Sequence, residues 1–212
     1  MIKQRVAGIV WIAVCLAGSY LAMSYDFKPG RLGPPPATWP RETEYSYSIE
    51  LLTPPKKTTV VAFLHPRCVC TRATVKQLVT ALASHPGADL IVSVFTPLDA
   101  AQQAAWVESA SVRTVQAAIP SAQIIWDRGG IQAWRFGALT SGTILVYDGQ
   151  AREIFRGGIT DRRGGERDNP GLQRFVRLLT GEQLAEANPS PVFGCPLIAP
   201  GEAPTPREDA GR

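Results

Sequence analysis

Two cysteines one residue apart, Cys68-Val69-Cys70, follow an apolar, β-branched run and precede a segment with helical periodicity. A thiolate is a nucleophile, a redox centre and a soft metal ligand, so this triplet is the first place to look for chemistry. Helix positions i and i+2 project about 200° apart, so the pair cannot bridge inside a regular helix. It must lie in the turn ahead of the helix, where a small, strained disulfide ring can form. Strain makes such a bond easier to reduce and suits an oxidant- or isomerase-like pair. A helix N-terminus favours a thiolate through its free N–H groups and partial positive charge. Cys68 is therefore the expected attacking thiolate and Cys70 its resolving partner, with weak support from Arg67.

Metal binding is the competing chemistry. Two such thiolates suit Cu(I) or Zn(II) if one or two more ligands converge, and His65 and Cys195 are the candidates. A last helix of about 17 residues would carry the chain roughly 25 Å from the cysteine end. Asn188 to Cys195 can span up to about 26 Å when extended, so a return of Cys195 to the site is feasible. Plainer roles stand beside these. Cys195 can be a buried thiol, His65 a turn residue before Pro66, and His85 the punctuation of a helix end.

The elements that must position these residues can be read in order. Thr58–Leu64 is a buried strand, and Thr71–Ser84 carries apolar residues at helical spacing. Asp89–Phe95 is a second strand, Ala100–Ala118 a helix and Gln123–Trp126 a short strand. Thr143–Tyr147 turns at Asp148-Gly149 to pair with Arg152–Arg156 as a hairpin, and a helix runs from about Gly171 to Ala187. Tyr45–Leu52 is a candidate edge strand. The class is α/β, a central mixed sheet with helices on both faces, and no repeat is evident.

In this order of elements, and in Phe63-Leu64-His65-Pro66-Arg67-Cys68-Val69-Cys70, the chain resembles the thioredoxin-like superfamily. It has one residue between the cysteines instead of two. Trp39-Pro40, the His65–Ala73 segment, Arg135-Phe136-Gly137-Ala138, Thr140-Ser141-Gly142, Gly157–Thr160 with Arg163-Gly164, and Val192–Leu197 also resemble bacterial membrane-anchored thioredoxin-like proteins of the RedB type. The resemblance covers about 39–197. It implies a three-layer thioredoxin-like fold and a thiol–disulfide oxidoreductase acting on a cysteine-containing protein substrate or redox partner. No cofactor is implied beyond the metal of the alternative reading. Where such proteins carry a cis proline against the cysteines, this chain has Ser141-Gly142-Thr143, which weakens a simple reductase reading and opens the metal one. The same topology brings the Gly157–Gly171 loop near the site, making Arg162, Arg163 and Asn169 expected substrate or partner contacts.

The N-terminus sets the compartment. Val6–Met23 carries no charge and follows Lys3 and Arg5, enough for a short membrane-spanning helix with its N-terminus inside. A cleaved signal peptide competes, but the apolar run is long for a signal-peptide core, and export follows either way. The expected organisation is an anchor at 1–24, a proline-rich linker at 25–55, a domain at 56–187, and a tail at 188–212 bearing Cys195. The expected location is a bacterial inner membrane, single pass, with the domain on the periplasmic side, where disulfides persist. Of four cysteines, Cys15 lies in the anchor, so the exported part holds an odd number. Net charge is +4 with a pI near 9.0. Even so, Asp161–Asp168 balances its charges and no aromatics interleave with bases, so nucleic-acid binding is not expected.

Overall fold

Thr59–Leu64 is apolar or β-branched at every position, a composition suited to a strand covered on both faces. In the computed structural model, which describes residues 2–36, 39–40, 53–99, 106–107, 109–184 and 188–198, it forms β1 at the centre of a five-stranded sheet, with all six residues buried. On one side β1 pairs in parallel with β2 (Asp89–Thr96), which pairs in parallel with β3 (Gln123–Arg128). On the other it pairs antiparallel with β4 (Thr143–Tyr147), and β4 with β5 (Glu153–Gly157). The strand order β3-β2-β1-β4-β5 and these senses give the mixed sheet expected of a thioredoxin-like fold.

Alternate β1 residues serve two cores, as strand geometry requires. Val60, Ala62 and Leu64 meet α2 (Val69–Ala83), α3 (Ala110–Ala118) and α5 (Pro170–Leu179). Val61 and Phe63 face a second cluster with Phe136, Tyr147, Leu197 and Trp39. The helix on that face, α4 (Ile131–Arg135), was not expected from the sequence. Five residues are too few to show a period. The buried Asp127 carboxylate organises its start, accepting from the N–H groups of Gln132 (2.8 Å) and Ala133 (2.9 Å). Burial pushes Asp127 up to about 6 despite these donors.

Two expected helices are corrected. The helix assigned to Ala100–Ala118 does not run unbroken: Ser109 is extended (φ −103°, ψ 144°), and its hydroxyl caps α3 by accepting from Val112 N at 3.1 Å. Residues 100–105 lie outside the described residues. The last helix ends at Leu179 rather than Ala187, because Gly181 turns left-handed (φ 84°) just beyond the Thr180 cap. The proposed edge strand Tyr45–Leu52 also lies outside the described residues.

At the N-terminus α1 (Ile2–Asp26) includes a 23-residue stretch with a mean hydropathy of 2.1 and no burial, long and apolar enough to cross a membrane. Beyond it the proline-rich segment does not stand clear of the domain. Gly30 N donates to Val192 O (2.7 Å), Gly33 N to Gly137 O (2.8 Å), and Thr140 Oγ1 to Arg31 O (2.7 Å). Gly137 is left-handed (φ 64°), and a Cβ there would overlap the Pro34 carbonyl oxygen. Trp39 then inserts edge-on against Phe136 (5.1 Å between centroids) and Tyr147 (4.7 Å). At 4% exposure it is a core residue.

Trp39→Ala should therefore lower the unfolding free energy by about 3–5 kcal/mol, the usual cost of emptying an aromatic core site. Urea unfolding followed by circular dichroism measures it; an unchanged midpoint would mean that this segment is not part of the folded unit.

Candidate active site

β1 ends at Leu64, and the turn His65-Pro66-Arg67 leads directly into α2. Cys68 is the N-cap of that helix, extended at φ −86° and ψ 118°, and Cys70 lies in its first turn. Cys68 thus lies at the end of the turn, as expected, whereas Cys70, expected in the turn as well, is already inside the helix. Cys68 (4% exposed) and Cys70 (7%) are buried, whereas Val69 between them is 79% exposed.

The third cysteine arrives from the tail. Residues 195–197 run antiparallel to 139–141: Ser141 N donates to Cys195 O (2.8 Å), Leu197 N to Leu139 O (3.0 Å), and Thr140 bridges Pro196. Gly194 is required just before it, since a Cβ there would overlap the Ser141 carbonyl oxygen. This pairing brings Cys195 N to 3.3 Å from Cys68 Sγ. All three cysteines are free thiols in this arrangement.

The cluster is electrically asymmetric. Burial alone would raise the Cys68 pKa, but hydrogen bonding from Cys195, whose N–H lies 3.3 Å from the sulfur, together with the nearby polar groups of Thr71, brings it below the ordinary thiol value. Burial raises Cys70, as do the charge on Cys68 and the hydrogen bond Cys70 donates to it; Arg163 works in the opposite sense. Burial pushes the Cys195 thiol up to about 12, reinforced by the hydrogen bond it gives Cys68 and by the charges on the other two sulfurs. One sulfur is prepared to be a thiolate while the other two hold protons.

A hydroxyl pair braces this turn. Ser141 Oγ accepts from His65 N at 2.8 Å and lies 2.7 Å from Thr71 Oγ1, which is itself 3.2 Å from His65 O. Ser141 therefore stands beside the cysteine turn, in the stretch where the expected proline is missing, and the described residues contain no cis peptide bond. Gly142 N donates to Phe63 O (2.8 Å), and Thr143 turns its hydroxyl back to Thr140 O (2.6 Å).

Among the expected charged contacts, Arg163 alone is drawn to the cysteines. Its guanidinium hydrogen-bonds to Cys70, donates to Gly194 O, lies 4.5 Å over the Tyr25 ring and donates to Tyr25 O (3.1 Å). Its backbone N donates to Asp26 O (3.0 Å). It therefore joins the site to the end of α1. Arg162 faces Asp161 (3.9 Å), and Asn169 caps α5 by accepting from Leu172 N. Arg67 is exposed, with its guanidinium 4.3 Å over the Trp106 ring.

His65 does not complete a ligand set. Its ring stacks on Phe95 (5.4 Å, 9°) and meets Trp106 edge-on (5.1 Å), while Nδ1 accepts from Arg67 N at 3.3 Å. Burial, with the Arg67 charge, lowers its pKa and favours the neutral ring. Among the described residues, no group of three or more His, Cys, Asp and Glu side chains is arranged to hold a metal ion. Sequence reasoning missed Thr71, Phe95 and Trp106. Phe95 could have been found from its place near the end of a strand parallel to β1, because parallel strands bring their carboxyl ends to one edge.

No family model matches the chain, and no curated protein matches it. Solved structures do. An uncharacterized conserved protein from Geobacillus kaustophilus superposes with a TM-score of 0.55 at 16% identity, over 84% of this chain and 95% of its own. A hypothetical protein from Sinorhizobium meliloti 1021 gives 0.50 at 21% identity, over 69% and 82%. A thioredoxin-like protein from Aeropyrum pernix is more distant, at 0.42 and 12% identity over 82% and 99%. Likeness at these identities concerns the fold alone. With the strand order and the cysteine turn after β1, the chain has the thioredoxin-like fold.

Gly194→Ala should push the tail strand away from Ser141 and withdraw the Cys195 donors from Cys68. The pH midpoint of Cys68 alkylation should then rise relative to wild type. A midpoint that stays in place would show that the tail does not set the thiolate.

Proposed function

We propose that this chain is a membrane-anchored, exported thiol–disulfide oxidoreductase in which Cys68 is the attacking thiolate. The observation that carries this reading is the division of labour in the cluster. The cysteine at the helix N-cap gathers donors and has a lowered pKa, and its two neighbours have raised ones. A thiolate at a helix N-terminus with a protonated thiol alongside suits two-step exchange. Cys68 attacks a disulfide of a cysteine-containing protein, forming a mixed disulfide and releasing one thiolate. A second site thiol then attacks Cys68, closing an internal disulfide and releasing the other half of the substrate. The same steps in reverse oxidise a dithiol.

In this reading α1 crosses the inner membrane, with Lys3 and Arg5 inside and the domain in the periplasm. The contacts of Arg163 with Tyr25, Asp26 and Cys70 support a site held close to the bilayer surface.

Exchange between the reduced protein and a small aromatic disulfide tests the reading. The rate should rise with pH as the thiolate forms and level off below about pH 8.5, the region of an ordinary thiol. Cys68→Ser should slow it by at least about a hundredfold, since the thiolate is the nucleophile. An unchanged rate in Cys68→Ser would overturn the assignment.

A further inference from the structure

The tail strand has the geometry of a docked peptide. An extended peptide commonly binds by adding a strand to an open edge, its main chain giving affinity and its side chains specificity. Residues 195–197 make the same kind of main-chain pairing within the chain, through a single bridge to the loop 139–141 beside the cysteine turn. Val192, Phe193 and Leu197 are buried, and Gly194 fits against the Ser141 carbonyl, so the strand is seated at several points. Arg163 takes the Gly194 carbonyl as well. At the middle of this seat Cys195 presents its N–H to Cys68 Sγ at 3.3 Å.

The alternative partner is placed differently. Cys70 is fixed within the first turn of α2, and a bridge to Cys68 would close a ring over a single intervening residue. Cys195 comes from the distant tail, next to the Pro196 bridge, and closes no such small ring. It is also the least buried of the three.

We propose that the tail is a built-in substrate strand, and that the first disulfide the site forms internally is Cys68–Cys195, with Cys70 as the thiol that later opens it. The proposal rests on the oxidoreductase reading and specifies its internal partner. With a small disulfide RSSR as oxidant, the Cys68 thiolate attacks one sulfur, giving Cys68–S–S–R and one RS⁻. Cys195 then attacks Cys68 Sγ, forming Cys68–Cys195 and releasing the second RS⁻. The thiol protons pass to these two leaving groups, so two cysteines are oxidised and one RSSR becomes two RSH. Attack by Cys70 on Cys68 Sγ subsequently forms Cys68–Cys70 and returns Cys195 to the thiol, with no net change in electrons. Formation of Cys68–Cys195 staples the tail over the 139–141 loop, and the exchange releases it.

The test uses the full-length reduced protein, oxidised with one equivalent of glutathione disulfide, quenched by alkylation, digested and mapped by mass spectrometry. In samples quenched at a series of times, the earliest should show the Cys68 peptide crosslinked to the Cys195 peptide at least about tenfold more often than closed on itself through Cys70. The crosslink should persist in Cys70→Ser, and in Cys195→Ser the Cys68–glutathione adduct should accumulate. A Cys68–Cys70 ring with Cys195 alkylated at the earliest quench times, with no Cys68–Cys195 crosslink preceding it, would overturn the proposal and leave the oxidoreductase reading standing. No reversible disulfide at any of the three positions would remove both.

Discussion

The sulfur of Cys68 sits where separate parts of the chain meet. The first turn of α2 brings the polar groups of Thr71 close to it, and the tail supplies the N–H of Cys195. A buried sulfur without those donors would remain a thiol, because burial alone disfavours the charged form. With them it is the only group of the cluster drawn toward ionisation, and its charge raises the pKa of its neighbours. The reactivity of the site therefore depends on the tail being seated, although Cys195 lies 127 residues further along the chain.

That seating in turn depends on close backbone packing rather than on side-chain chemistry. Gly194 lies against Ser141, Gly158 against Pro191, and Gly137 against Pro34, each where a Cβ would overlap backbone. The proline-rich segment after α1 and the tail are held to each other as well as to the domain, since Val192 accepts a hydrogen bond from Gly30. Arg163 adds a polar joint between the end of α1, the tail carbonyl at Gly194 and Cys70. The end of α1, the tail and the cysteine turn meet as one assembly around the end of β1.

Much of this was legible in the sequence, for identifiable reasons. β1 and β4 are rich in apolar and β-branched residues, and α2 has a clear helical period, so the residue pattern alone locates the strand–cysteine–helix unit and the hairpin. The opposed directions of helix positions i and i+2 placed Cys68 in the turn, but Cys70 lies one residue into the helix instead. Chain length showed that Cys195 could return, but not that it would, because backbone pairing with 139–141 leaves no residue-type signature. The same reason hid the packing of the proline-rich segment, whose composition resembles that of a spacer although Trp39 is core. Short α4 escaped because its determinant, Asp127, precedes it on another element. His65 was offered as a ligand on residue type, and its stacking on Phe95 needed the fold to reveal it.

The central claim is that one of three clustered cysteines is the thiolate and the other two hold their protons beside it. Residue-resolved alkylation of the reduced protein across a pH series, read by mass spectrometry, measures it directly. The Cys68 midpoint should lie below that of an ordinary thiol, about 8.5, and the midpoints of Cys70 and Cys195 above it. A Cys195 or Cys70 midpoint below that of Cys68, or three coincident midpoints, would contradict it.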